Sequence, residues 1–92
     1  MLINDESGAF ISRAIDWPGG PGLIESASGP NDQVLELQRL GPDGVSWSAV
    51  AEEVKLVGNA VGNFNLDKSR IRIDMTSGVN VFADVKTRRI ST

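Results

Sequence analysis

The sequence predicts a small all-β fold, an antiparallel β-sandwich or jelly-roll-like barrel of about seven or eight short strands. Residues 34–50 read as an alternating apolar strand, a Gly-Pro-Asp-Gly turn and a second strand, which is the pattern of a β-hairpin. Residues 70–75 alternate isoleucine and methionine with arginine and aspartate, the period of a strand with one buried face. No segment shows a sustained 3.6-residue apolar period, so almost no helix is expected.

The remaining strands are predicted between residues that favour turns. In chain order, the predicted strands cover residues 10–15, 23–27, 34–40, 45–50, 54–57, 64–66, 70–75 and 79–85. The fifth strand could extend to residue 61, and residues 48–57 are also compatible with one helical turn. The prolines and glycines of residues 17–22 predict a loop, and residues 76–78 a tight turn that joins the last two strands into a hairpin. We expect residues 1–9 to form a flexible N-terminal arm and residues 10–92 a single β-sandwich domain.

Strand alternation also predicts the core. The expected buried residues are Leu35, Leu37, Trp47, Ile71, Ile73 and Val81. Trp47 follows a turn and is interpreted as closing one end of the sandwich, with a ligand platform as the alternative. Trp17 lies between Asp16 and Pro18 beside the glycine-rich segment. It either folds back onto the core or serves as an exposed anchor for a partner, since tryptophan is frequent at interface hot spots.

Composition excludes several kinds of chemistry. The 92 residues contain no cysteine and no histidine, which removes disulfides, thiolate or imidazole metal sites, and Ser-His or Cys-His catalysis. The net charge of -3 argues against a general affinity for nucleic acid. No apolar run approaches the ~20 residues of a membrane span, and the acidic N-terminus is unlike a signal peptide. We therefore expect a protein that is not an enzyme, with no cofactor, metal, membrane or specific nucleic-acid partner.

Charge is distributed unevenly along the chain. Residues 1–45 hold two basic and seven acidic residues, whereas residues 46–92 hold seven basic and five acidic residues. Basic side chains on the outer strand face and in the C-terminal tail could dock on an acidic protein surface, with cross-strand ion pairs and a solubilising tail as the alternatives. The candidate partner-binding residues are Trp17, Pro18, Arg70, Arg72, Arg88 and Arg89.

Five short motifs resemble those of a known protein family. They are Val34–Arg39 (VLELQR), Asp43–Trp47 (DGVSW), Arg70–Ile73 (RIRI), Ser77–Gly78 and Val79–Val81 (VNV). Together they are similar to the pattern of small β-sandwich structural proteins of tailed bacteriophages, over about residues 20–90. The sequence departs from that pattern at Ser69, where an aromatic residue often precedes the arginine, and at residues 17–22, which have no counterpart.

The resemblance implies a structural protein of the virion. It would be a decoration or cementing subunit on the capsid surface, made in the host cytoplasm, that stabilises the head by binding across capsomers. The implied partners are the major capsid protein or another virion protein, and symmetric lattice sites favour a homo-trimer or another small symmetric oligomer. The alternative is a carbohydrate-binding or other β-sandwich adhesion module with Trp17 or Trp47 as its platform.

Overall fold

The computed structural model describes residues 1–50 and 55–87, and every regular element within them is a β-strand. There are ten strands in this part of the chain. In order they are β1 (Ile3–Glu6), β2 (Phe10–Ile11), β3 (Ile15–Trp17), β4 (Gly20–Ala27), β5 (Val34–Leu40), β6 (Trp47–Ala49), β7 (Lys55–Val57), β8 (Ala60–Leu66), β9 (Ser69–Ser77) and β10 (Val81–Thr87).

These strands form two antiparallel sheets. The first sheet has the order β1-β10-β4-β8, and the second has the order β2-β9-β5-β6. Strand β3 also pairs with β9, nearer the start of that strand than β2 does, and β7 pairs with β5 nearer its start than β6 does. The pairs β2 and β3, and β6 and β7, therefore act as two interrupted edge strands, and each sheet has four strand positions.

The strand order identifies the topology as a jelly roll. If each interrupted strand counts once, eight strands remain, and they pair first with last, second with seventh, third with sixth, and fourth with fifth. This nested pairing of a long hairpin rolled into two facing sheets is the jelly-roll arrangement. The predicted all-β sandwich or jelly-roll-like fold is thus confirmed, with ten strand segments instead of seven or eight.

The core lies between the two sheets and contains side chains from almost every strand. Five of the six predicted core residues are buried, and Trp47 is the exception. The buried apolar cluster consists of Leu2, Ile3, Trp17, Ile24, Leu35, Leu37, Leu56, Phe64, Ile71, Ile73, Met75, Val81, Ala83 and Val85. The alternation that predicted β5 and β9 is confirmed, because their odd-numbered residues from Leu35 to Leu37 and from Ile71 to Met75 point into this core.

The expectation of a mobile arm at residues 1–9 is wrong. Residues 3–6 form β1, an edge strand that pairs with β10, and Ile3 is 0% exposed opposite Ala83. Two adjacent apolar residues, Leu2 and Ile3, anchor this segment although polar residues follow them. Burial of those two side chains outweighs the entropy of an otherwise polar terminus.

The proline- and glycine-rich segment is also more ordered than predicted. Trp17 ends β3 in the second sheet and Gly20 begins β4 in the first, so only Pro18 and Gly19 lie between strands. Gly19 and Gly20 have φ values of 97° and 98°, a conformation that glycine adopts without steric cost. They allow the chain to cross from one sheet to the other within two residues.

The predicted hairpin between the last two strands is wrong as well. Strand β9 belongs to the second sheet and β10 to the first, so the turn after Ser77 crosses the sandwich. A Cβ on Gly78 would lie 2.5 Å from Cγ2 of Val81 and 2.9 Å from Cβ of Gln33. The chain therefore needs glycine where it passes over the end of the core, and Val79 lies exposed outside the strand.

The weakest sequence prediction concerned residues 48–61. Residues 47–49 and 55–57 are short strands, so the described parts of this stretch are not helical, and Val54 lies outside the described residues. Strand β8 begins at Ala60 instead of residue 64 and pairs with residues 20–26 of β4. The sequence did not predict the full length of this strand, because its outward residues include Asn63 and Asn65, and asparagine has a low strand propensity.

The hairpin turn between β5 and β6 is organised by one carboxylate. The Asp43 Oδ1 accepts hydrogen bonds from the backbone N–H groups of Val45 (3.0 Å) and Ser46 (2.9 Å), and Oδ2 accepts one from the Ser46 hydroxyl (2.6 Å). These bonds stabilise the ionised form and lower the pKa of Asp43 from 3.8 to about 2, with the Ser46 hydroxyl as the largest cause. Gly44 completes the turn with a φ of 74°.

We expect the contribution of Asp43 to stability to be lost in acid. A lowered folded pKa means that the contribution is complete above the unfolded pKa near 4 and disappears as the pH falls through about 2. The difference in urea stability between the protein and its Asp43→Asn variant should therefore shrink over this range. Ser46→Ala is the control, since it removes the strongest donor and should move the NMR-measured pKa of Asp43 back toward 3.8. An unchanged titration in Ser46→Ala would contradict this account.

Candidate functional site

The outer face of the second sheet carries a cluster of polar and aromatic side chains. Because successive strand residues point to opposite faces, burial of Leu37 and Ile73 directs the even-numbered residues of β5 and β9 outward. The strand register places Glu36 opposite Asp74, and Gln38 opposite Arg72. The next strand, β6, adds Trp47 to the same face.

Trp47 is half-buried on this outer face. The prediction that it closes one end of the sandwich is therefore wrong. Trp47 pairs with Leu40, which is three residues beyond the inward-facing Leu37 and therefore on the opposite face. The guanidinium carbon of Arg72 lies 4.2 Å from the centroid of the Trp47 ring. Such a cation–π contact is worth about 0.5–1 kcal/mol at an exposed site, and it restrains both side chains.

Gln38 joins this stack to two carboxylates. Its Oε1 accepts a hydrogen bond from Arg72 Nε at 2.9 Å, and its Nε2 donates to Glu36 Oε1 at 3.0 Å and to Asp74 Oδ2 at 3.2 Å. Two like charges directly across a sheet repel each other, and the shared amide offsets part of that cost. We refer to Trp47, Arg72, Gln38, Glu36 and Asp74 as the Trp47 face.

A basic cleft lies at the end of the sandwich next to Leu40, the residue that pairs with Trp47. It has a volume of about 470 Å³ and lies between the β5–β6 turn and the β8–β9 turn, with Arg39 and Lys68 among its lining residues. Arg70 lies nearby on β9 and forms an exposed 3.7 Å ion pair with Asp16. An exposed pair of this length contributes little to stability, so Arg70 remains accessible to a partner.

Two of the other predicted partner-binding residues, Trp17 and Pro18, lie in the described part of the chain. Trp17 is buried at 4% exposure, so its interpretation as an exposed anchor is wrong and the alternative, packing onto the core, is correct. Pro18 follows it and is exposed. Arg88 and Arg89 lie outside the described residues. Among the four candidates that the structure describes, Arg70 and Arg72 lie together on one face of β9.

The outer face of the first sheet holds an apolar groove that the sequence analysis missed. The groove has a volume of about 420 Å³, and its exposed apolar side chains are Met1, Val61 and Phe82. Glu25 on its wall forms a 2.7 Å ion pair with Lys86, which raises the pKa of that lysine. The available signal was the alternation of β10, in which Phe82 has to point away from the buried Val81 and Ala83.

The notable features of the described residues are two outer sheet faces. Within residues 1–50 and 55–87, no three histidine, cysteine or acidic side chains lie close enough together to hold a metal ion. The same part of the chain contains no helix long and apolar enough to cross a membrane. What the Trp47 face provides is a fixed array of one aromatic ring, one guanidinium, one amide and two carboxylates.

Comparisons with models of known protein families, with curated protein sequences and with solved structures found no significant match.

Proposed function

We propose that this protein is a structural component of a tailed-bacteriophage virion, a decoration subunit that binds the capsid surface through the Trp47 face. The observation that carries the proposal is the stack of Arg72 on Trp47 on the outer face of the second sheet. Tryptophan and arginine are the residues most enriched at interface hot spots, and here each holds the other in place before any partner arrives.

The location of the family-like motifs supports the same surface. Three of the motifs that resemble those of phage structural proteins, Val34–Arg39, Asp43–Trp47 and Arg70–Ile73, lie on β5, β6 and β9 or the turn between β5 and β6. Their outward side chains include four of the five residues of the Trp47 face, and the fifth, Asp74, directly follows the third motif. The jelly roll is used by viral capsid and lectin domains, which is compatible with the proposal but does not by itself assign a function.

The proposed mechanism is mechanical. A subunit that contacts neighbouring capsomers adds its binding free energy to the assembled shell and not to its separated parts. Arg70, on the outer face of β9, and the neighbouring cleft with Arg39 and Lys68 would orient the subunit on an acidic capsid surface. Several weak contacts per copy suffice, because a lattice offers many equivalent sites and raises the apparent affinity.

The test compares two aromatic-to-alanine variants on opposite outer faces. Trp47→Ala removes the central ring of the proposed interface and should weaken binding to capsids by about 30-fold or more, the effect of losing a hot spot. Phe82→Ala, on the outer face of the first sheet, is the matched control and should leave binding within about threefold. Binding is measured by co-sedimentation with particles that lack the protein, after circular dichroism has shown that both variants fold.

Two outcomes would contradict the proposal. One is equal binding of the two variants to capsids. The other is absence of the chain from purified virions analysed by mass spectrometry.

A sugar-binding role is the second candidate, and the acidic part of the Trp47 face favours it. Glu36 and Asp74 share this face with the half-buried Trp47 and are connected to it through Gln38 and Arg72. Carboxylates and an aromatic ring on one surface are suited to binding a sugar by hydrogen bonds to its hydroxyls and by packing on its apolar face. The guanidinium of Arg72 already covers one ring face, which is why we rank this role second. Binding of oligosaccharides that is lost in Trp47→Ala, without binding to capsids, would favour it.

A further inference from the structure

The edge strands of the two sheets differ in how they avoid pairing with another chain. Strand β1, one edge of the first sheet, is four residues long and has an irregular register between Asn4 and Glu6. Asp5 lies at that irregularity with a φ of 57°, and its charge and the bulged backbone both discourage a further strand. This edge is protected.

The described edges of the second sheet are protected by interruption. Strands β2 and β3 contain two and three residues, and β6 and β7 contain three residues each. Between β2 and β3, the Ser12 N–H still donates to the Ile73 carbonyl at 2.9 Å, but the Ile73 N–H donates to the Ser12 hydroxyl at 2.8 Å, so a side chain replaces one backbone acceptor there. Short, broken edges of this kind offer few consecutive backbone groups to a partner.

Strand β8, the second edge of the first sheet, has none of these devices. It is seven residues long, contains no proline, and pairs with β4 in an uninterrupted register from Ala60 to Leu66. In an antiparallel strand every second residue directs its N–H and C=O away from the paired neighbour, and no strand of the described chain covers that side of β8. A long, regular, unprotected edge is a template for another strand.

We propose that the occupant of this edge is β8 of a second copy of the same chain. The two strands would run antiparallel about a two-fold axis and join two four-stranded sheets into one continuous sheet of eight strands. A two-fold interface brings the same surface together from both subunits, so it requires an edge that is complementary to itself. The inference does not depend on the proposed capsid-binding role.

The absence of charge on β8 is what favours a second copy over an unrelated strand. Among the described strands of seven or more residues, β8 is the one without a charged side chain, whereas β4, β5, β9 and β10 each contain at least one. Near a two-fold axis each side chain meets its own copy or a close neighbour, and like charges directly opposite are destabilising. An uncharged strand avoids that penalty.

The register follows from the length of the strand. An axis at Asn63 pairs all seven residues and places Asn63 opposite its own copy, and Val61 opposite Asn65 of the second copy. A side-chain amide both donates and accepts hydrogen bonds, so two asparagines can bond to each other across the axis. Val61, which is 60% exposed in one copy, would gain a neighbour.

The experiment places a charge on the proposed axis. We expect the unmodified chain to form dimers in a concentration-dependent way in analytical ultracentrifugation. Asn63→Lys and Asn63→Asp should each raise the dimer dissociation constant about tenfold or more, through like-charge repulsion and loss of the amide pair. An equimolar mixture of the two variants should dimerise again, because the two charges are then opposite. Asn4→Lys, on the protected edge β1, is the matched control and should dimerise like the unmodified chain.

Three results would overturn the proposal. The first is a monomer at every concentration up to about 1 mM, a range in which even a weak specific pair is populated. The second is a dimer that Asn63→Lys leaves intact, and the third is a dimer that Asn4→Lys disrupts equally. All measurements use the isolated chain, so they are separable from any outcome of the capsid-binding test.

Discussion

Replacing Trp17 with alanine is expected to reduce the free energy of unfolding by about 3–5 kcal/mol, the range found for large aromatic residues in protein cores. The ring is buried, its centroid lies 4.9 Å from that of Phe64, and its Nε1 donates a hydrogen bond to the Gly20 carbonyl at 3.3 Å. The backbone beneath is shaped to this pair, since a Cβ on Gly22 would lie within 2.6 Å of both rings. Alanine would leave a cavity that rigid strands cannot close.

Trp47→Ala is the matched control for this experiment, because it is the same chemical change on the outer face. It removes one cation–π contact and part of a half-buried ring, so it should cost less than half as much in urea unfolding. An equal loss of unfolding free energy in the two variants would contradict the assignment of Trp17 to the core and Trp47 to the outer face. A loss for Trp17→Ala near zero would restore the idea of an exposed anchor.

Ile73→Ala should be the second large effect, at about 2–5 kcal/mol. Ile73 is 0% exposed and lies on β9, between β5 on one side and the interrupted edge β2–β3 on the other. Its side chain belongs to the core cluster between the two sheets. Its backbone N–H donates to the Ser12 hydroxyl at 2.8 Å, and its carbonyl accepts a hydrogen bond from the Ser12 N–H at 2.9 Å. The site has little freedom to collapse around a smaller side chain.

Ile11→Ala provides the comparison, since the same three carbons are removed from a residue that pairs with the same strand. Ile11 lies on β2 opposite Asp74 and is 52% exposed, so its loss should cost under about 1 kcal/mol. The two variants are compared by urea titration with a shared m-value as a check on two-state behaviour. A cost for Ile11→Ala as large as that for Ile73→Ala would contradict the assignment of the faces.

The sequence alone was sufficient where a strand pattern and its turn agreed. The bounds of β5 are those predicted, and the Pro-Asp-Gly turn joins it to β6 because Asp43 can satisfy the turn's own N–H groups. The inward residues of β9 were equally clear, because strict alternation of isoleucine with arginine leaves one possible face. These features depend on neighbours in the chain.

Features that depend on distant pairing could not be predicted in the same way. The turn at Ser77–Gly78 has the composition of a hairpin, but strands on its two sides enter different sheets because β10 has stronger partners in β1 and β4. The burial of Trp17 likewise depends on Phe64 and Gly22, which are remote in sequence. Trp47 was misplaced because a shift of one residue in register reverses the face.

The candidate site was predicted in part for the same reason. Arg70 and Arg72 were placed outward by alternation, and the structure has them there. Their partners Gln38 and Trp47 come from other strands, so the Trp47 face required the sheet register. The groove beside Phe82 was not predicted, because a single exposed aromatic residue is common on protein surfaces. It indicates a groove only when the neighbouring strands are known.

The nested pairing of the jelly roll also imposes an order on folding. Leu40 pairs with Trp47 across one turn, Ser26 pairs with Ala60, Phe10 with Met75, and Ile3 with Ala83 at opposite ends of the chain. Closing Ile3 onto Ala83 in an unfolded chain would restrict a very long loop, but each inner pair shortens the free chain that the next pair has to close. Folding that begins at the Pro-Asp-Gly turn and proceeds outward avoids the cost of long loops at every step. Strand β1 is then the last to dock and the first to detach, although Ile3 is among the most deeply buried residues of the finished core.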